Sequence, residues 1–266
     1  MSPNGATELD GHVAILTGAS SEIGSAIALA LAKDGASLVL IGRHADALQP
    51  VAATISALGR HAHIVCCDVT QGEQVDHMVA ETRALFDDRI DILVNVAGGS
   101  GGLAAPVWEI SESDFSSIIA MNLTASFLTM AAVLPVMITR RSGRIINIGG
   151  TFGLRGRAGR AAYSAAKWGL RGLTKSAALD AGPFNITVNC VSPGMVEGRR
   201  FDEIGAEAAA RDGVSLAEAR ARISAAYALR RVSTSDDIAN MVRFLAGEGG
   251  RQVTGQDLVV DGGWAI

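Results

Sequence analysis

Two residues four apart carry the most pointed chemistry in the sequence: Tyr163 and Lys167, in Tyr163-Ser164-Ala165-Ala166-Lys167. On a helix that spacing puts both side chains on one face. A free tyrosine, with a pKa of about 10, is a poor base near neutrality. A neighbouring ammonium favours the phenolate. Such a pair can hand a proton to a carbonyl oxygen or take one from an alcohol. An ordinary helical pair has the same spacing, so the rest of the chain must separate the two readings.

The second feature is Thr17-Gly18-Ala19-Ser20-Ser21-Glu22-Ile23-Gly24. Gly18 permits a tight turn and Gly24 a close approach of helix to strand. The amides and partial positive charge at the start of a helix near Ile23 suit a pyrophosphate. The run reads as a dinucleotide-binding turn, with Gly18, Ser20, Ser21, Ile23 and Gly24 as contacts. The next apolar run ends in Ile41-Gly42-Arg43-His44. It lacks the carboxylate that accepts from a ribose 2′-hydroxyl, and Arg43 suits a 2′-phosphate. The expected cofactor is NADP, with NAD possible.

These residues need a scaffold, and the chain supplies one. Short β-rich runs (12–16, 37–41, 63–67, 90–96, 144–148, 186–191 and 257–260) alternate with helical stretches (23–33, 45–58, 73–86, 114–140, 163–180 and 236–246). Alternation of this kind predicts an α/β fold: a single-domain, Rossmann-type doubly wound parallel sheet with helices on both faces. Ligands bind such sheets beyond the carboxyl ends of the strands. The glycine turn, Arg43, Asp68-Val69 and Asn95-Val96-Ala97-Gly98 all follow strands, and Tyr163 comes after the fifth.

Composition limits the alternatives. Of 266 residues, 48% are hydrophobic and 19% charged, enough for a large core. A net charge of -4 without a basic stripe argues against nucleic acid. Cys66, Cys67 and Cys190 form no disulfide or metal-ligand pattern, so no metal is expected. The polar segment 1–10 is expected to be a flexible N-terminus without signal-peptide character, ahead of one domain over 11–266. Phe127–Ile138, the most apolar run, is too short to span a bilayer, and a cytoplasmic location is expected.

Taken together, these motifs resemble the short-chain dehydrogenase/reductase family, and its 3-oxoacyl-carrier-protein-reductase-like subgroup, over almost the whole chain. The family's turn T-G-x-x-x-G-x-G is met by Thr17, Gly18 and Gly24, but Glu22 stands where glycine is usual. That carboxylate either repels a pyrophosphate or faces solvent and favours the first helical turn. The resemblance implies that Asp68 and Val69 meet the adenine. Asp68 would also suit a helix N-cap. It further implies that Asn95, Ala97 and Gly98 border the cofactor, and that Pro193, Gly194 and Val196 flank the nicotinamide. Gly198 replaces a usual threonine.

The same resemblance makes Tyr163, Lys167 and Asn122 catalytic, with Tyr163 and Lys167 also touching the cofactor. The family's serine falls at Gly150, in Asn147-Ile148-Gly149-Gly150-Thr151-Phe152-Gly153. Thr151 shifts inward, or the substrate or another loop compensates, or turnover is poor. Thr151 is the expected substitute. The alternative to an alcohol/carbonyl oxidoreductase is a cofactor-binding regulatory or weakly active protein. A segment over about 197–235, with helices at 201–211 and 215–227, is expected to close over a small-molecule alcohol or carbonyl substrate. Arg155, Arg157 and Arg160 stand near its mouth. A homotetramer is implied, with Phe127–Ile138 and Trp168–Leu173 as possible interfaces.

Overall fold

A computed structural model describes residues 7–99 and 101–266. Seven strands form one parallel sheet: β1 (Val13–Thr17), β2 (Ser37–Gly42), β3 (Ala62–Cys66), β4 (Ile92–Asn95), β5 (Gly143–Ile148), β6 (Ile186–Pro193) and β7 (Asp257–Val260). Their order is β3-β2-β1-β4-β5-β6-β7. The direction of winding reverses between β1 and β4, and a cleft opens there beyond the strand ends.

Strand alternation divides the core. Leu38 and Leu40 of β2 face one apolar layer, and Val39 and Ile41 face the other. The first layer is completed by α1 (Glu22–Lys33), α2 (Ala45–Ala57) and the helix Ser235–Ala246. The second is completed by α3 (Gly72–Leu85) and the helices Ala125–Arg140 and Ala161–Ala181. Both faces are buried, which explains why these strands read as continuous apolar runs.

Between β4 and β5 the chain forms α4 (Glu112–Ile119), a π turn (Ala120–Thr124) and α5 (Ala125–Arg140). Together they make 29 helical residues, close to the stretch expected at 114–140 and enough by length and composition to cross a membrane. Here Met130, Val133 and Met137 pack against the sheet instead. α6 (Ala161–Ala181) follows β5 and carries both Tyr163 and Lys167.

The insertion after β6 contains α7 (Arg199–Asp212) and α8 (Leu216–Ser224). The helix expected to reach Tyr227 stops at Ser224. Tyr227 turns inward instead and joins Phe201 and Val232 in a small apolar cluster. Ser215 caps α8 by accepting from the Glu218 amide. The reciprocal capping box occurs instead at Thr234 and Asp237, which open α9 (Ser235–Ala246).

Of the N-terminal segment expected to be flexible, residues 1–6 lie outside the described residues. Its end is fastened: Leu9 is buried in the core and its amide donates to Asp34 O. Cys66 is exposed and Cys67 buried, on opposite faces of the β3 end.

Candidate active site

The cleft has a volume of about 570 Å³ and runs across the ends of β1, β2, β4, β5 and β6. Its walls include Gly18, Ser20, Ser21 and Ile23 at one end of α1, then Arg43, Asp68 and Val69. Ala97, Gly98, Tyr163, Lys167, Pro193 and Gly194 continue the lining. These residues come from six separate loops and helix starts, brought together by the strand order.

The glycine turn is packed too closely against neighbouring backbone to admit side chains at Gly18 and Gly24. Gly18 has φ +65°, and a Cβ there would come within 2.8 Å of the Ala97 nitrogen. A Cβ on Gly24 would lie 2.2 Å from Gly18 O, so this glycine seats the helix against the strand loop. Gly24 is buried and supports the cleft without lining it. Ser21 caps α1, its hydroxyl accepting from the Gly24 amide at 3.0 Å. The first turn of α1 thus opens into the cleft, where an anion is favoured.

Asp68 is not the cap of α3, a place taken by Gln71. Its carboxylate accepts from the amide and hydroxyl of Thr70, at 3.0 and 2.7 Å. Those bonds, and then the Arg43 guanidinium, hold its pKa below the usual carboxylate range. Arg43 itself is exposed at the rim. The adenosine end of the cleft is therefore polar and carries a cation, which fits a nicotinamide dinucleotide.

At the other end Lys167 is buried, and its Nζ donates to Ile148 O at 2.8 Å. Burial pulls its pKa down to about 8. Burial pushes the Tyr163 phenol up to about 12. The charge that opposes this rise is Arg160, not Lys167 as the helical spacing implied. Lys167 Nζ lies 5.6 Å from the tyrosine ring centre. A Cβ added at Gly150 would meet Tyr163 Oη at 3.3 Å, so Gly150 faces the phenol.

Besides Gly24, four expected residues stand behind the wall or away from it. Asn95 is committed inside the sheet: its Nδ2 donates to Asn147 Oδ1, and its Oδ1 accepts from Thr129. Asn122 sits in the π turn, accepting from the Gly99 amide and donating to Gly99 O and Ile118 O. Val196 packs at the base of the insertion, bridged to Ser233. Thr151 is buried at the start of a short turn, and the structure does not bring it into the cleft lining. The lining also includes Met121, Ile148, Gly149, Cys67 and Gly99, for which the motifs held no signal.

Glu22 has a partner that its local sequence could not reveal. It lines the cleft, and its Oε1 accepts from the Arg199 amide, at the first turn of α7, at 3.1 Å. Gly198 has φ +127°, and a Cβ there would collide with the Glu22 carboxylate at 2.2 Å. The two departures at 22 and 198 are therefore one feature: the small residue makes room for the large one. Glu22→Gln weakens this charge-assisted cap and removes a negative charge beside the α1 N-terminus. It is expected to tighten nicotinamide-dinucleotide binding several-fold and to speed amide exchange in the first turn of α7. Unchanged affinity and exchange would show that the contact is passive.

Comparisons with known proteins agree with this fold. The family model described as enoyl-(acyl carrier protein) reductase matches residues 18–265. A 3-oxoacyl-[acyl-carrier-protein] reductase of Synechocystis sp. is 36% identical over 262 residues, covering 98% of this chain and 99% of that protein. Among solved structures, NAD+-bound xylitol dehydrogenase aligns with a TM-score of 0.89 at 32% identity, covering 96% of this chain and 100% of that one. A variant actinorhodin polyketide ketoreductase with NADPH gives a TM-score of 0.89 at 34% identity, covering 98% and 99%.

Proposed function

Because the chain belongs to the short-chain dehydrogenase/reductase family, a family of NAD(P)-dependent oxidoreductases, we propose that it interconverts a ketone and a secondary alcohol with Tyr163 as proton donor and acceptor. The observation that carries this reading is the placement of the Tyr163 phenol at the inner end of the cleft, opposite Gly150 and beside buried Lys167. A nicotinamide bound there supplies or receives the hydride at the carbonyl carbon.

The chain's own residues do the rest. Gly18, Ser20, Ser21 and Ile23 hold the pyrophosphate, Asp68 and Val69 border the adenine, and Ala97, Gly98, Pro193 and Gly194 frame the nicotinamide end. Tyr163 Oη passes its proton to the substrate oxygen as a ketone is reduced, and takes it back in the reverse direction. Burial keeps the phenol protonated at neutral pH, which suits reduction. Lys167 commits one of its three donors to Ile148 O and keeps the others for the nicotinamide ribose and the phenol. Asn122 is a positioning residue, tying the π turn to Gly99, whose neighbour Gly98 faces Lys167. The segment over about 197–235 closes over the substrate, and the exposed Phe127 and Trp168 suit the interfaces of a homotetramer.

Arg43 makes NADP the preferred cofactor. Titration followed by nicotinamide fluorescence is expected to show NADPH binding at least about tenfold more tightly than NADH, and Arg43→Leu to abolish most of the difference. Equal affinities in the unmodified protein would remove the NADP preference and leave the proton-transfer reading standing. A second reading, a cofactor-binding protein with weak turnover, is favoured by one observation: Gly150 offers no hydroxyl to the face of the phenol.

A further inference from the structure

An aromatic wall leads outward from the phenol. Phe152 packs edge-on to Tyr163 with ring centres 6.3 Å apart, and Trp264 lies 5.9 Å beyond Phe152. Tyr227, buried in the small apolar cluster, supports Trp264 from within at 6.4 Å. Two guanidinium groups lie over it: Arg157 is 5.1 Å from the Phe152 centre, and Arg155 is 4.8 Å from that of Trp264. Arg160 adds a third, close enough to lower the Tyr163 pKa.

Among the described residues, none of these three arginines forms an ion pair, whereas Arg199 and Arg200 both pair with Glu203. Arg160 is half-buried and donates to the Leu103 carbonyl. Its nearest charges include Arg157 and Arg200, with Glu207 the one carboxylate acting on it. Arg155 and Arg157 are exposed, stacked and without an ion-pair partner among the described residues, and Arg157 and Arg160 repel each other, an arrangement that a bound anion would relieve. Stacking uses the flat face of a guanidinium and leaves the N–H groups at its edge, in the geometry that takes an oxyanion bidentately.

We infer that the substrate carries an oxyanion, a carboxylate or a phosphate, which Arg155 and Arg157 hold over the aromatic wall while its carbonyl lies at Tyr163. This rests on the oxidoreductase reading above and narrows its substrate class. The stacked rings hold both guanidinium groups on one side of Tyr163, which fixes the direction in which the anion lies from the reacting carbon.

The test uses pairs of carbonyl compounds that differ in charge alone. One arm compares oxo acids of rising chain length with their methyl esters. The other compares acetoacetyl-pantetheine with its 4′-phosphate. Reduction is followed by NADPH consumption, and binding by quenching of bound NADPH fluorescence. At least one anion is expected to exceed its neutral partner about tenfold in kcat/KM, with the advantage falling as salt rises. Arg155→Met and Arg157→Met should erase most of that advantage through KM, and the arm that responds identifies the source of the oxyanion. Arg140→Met, at the opposite end of the sheet, should preserve it. No anion preference in either arm, in turnover or in quenching, overturns the inference, as does an equal loss for charged and neutral partners. Neutral ketones reduced without any anion preference would sink this inference alone. NADPH binding with no reduction of any carbonyl would sink the reading beneath it.

Discussion

Tyr163→Phe is expected to lower kcat for carbonyl reduction by roughly 10²–10⁴-fold, the range for loss of a positioned general acid. Affinity for NADPH should stay within a few-fold, because the ring and its packing on Phe152 remain. Single-turnover reduction with pre-bound NADPH would measure this directly, and activity within tenfold of the unmodified protein would remove Tyr163 from the chemistry. The pH profile adds a second check. The phenol, with a pKa near 12, stays protonated through neutrality. Lys167, brought down to about 8, loses its charge once pH exceeds that value, and with it the cation proposed to hold the nicotinamide ribose beside the phenol. Reduction in kcat/KM should therefore be sustained below pH 8 and fall as pH rises through it. A profile flat to pH 10 would show that the lysine charge does not act on the step.

Gly150→Ser is expected to raise kcat. A hydroxyl at this position would face the substrate oxygen beside the phenol, and a transition-state hydrogen bond of this kind is worth roughly 2–4 kcal/mol, or up to about 10²–10³-fold. The backbone accepts the change: Gly150 has φ 160° and ψ 152°, an extended conformation open to any residue. Its new Cβ would sit 3.3 Å from Tyr163 Oη, so the phenol must give by a few tenths of an ångström. Steady-state kinetics on a ketone panel would decide. A large gain would mean that the native chain works without this hydroxyl and is correspondingly slow. No gain, with the fold intact, would mean that the substrate or a neighbouring loop already supplies the bond.

Much of the architecture was legible in the chain because its signals are local. The last strand, 257–260, and the first helix are set by apolar periodicity and by residues within one turn of their ends, such as Ser21 before α1 and Asp34 after it. The cleft's phosphate turn and the Tyr163/Lys167 pair are likewise contained within eight and five residues. The long helical stretch expected over 114–140 is found over 112–140, but the π turn that places Asn122 inside it has no signal in the local sequence.

What depended on packing was legible only in three dimensions. Asn95 belongs to a small-residue turn that looks suited to a cofactor, yet its side chain is spent on Asn147 and Thr129. Thr151 is adjacent to Gly150 in the chain, but neighbouring residues on an irregular turn need not share a face. Glu22 finds Arg199 across 177 positions, and Phe152, after β5, finds Trp264, after β7. By itself the sequence determined the order of the elements, the phosphate turn and the presence of a tyrosine–lysine pair, because each is written in spacings of a few residues. Only the tertiary structure decided which polar groups face the cleft and which are consumed in the core. Those partners are remote in sequence, and a buried polar group bonds to whatever the packed sheet and helices bring within reach.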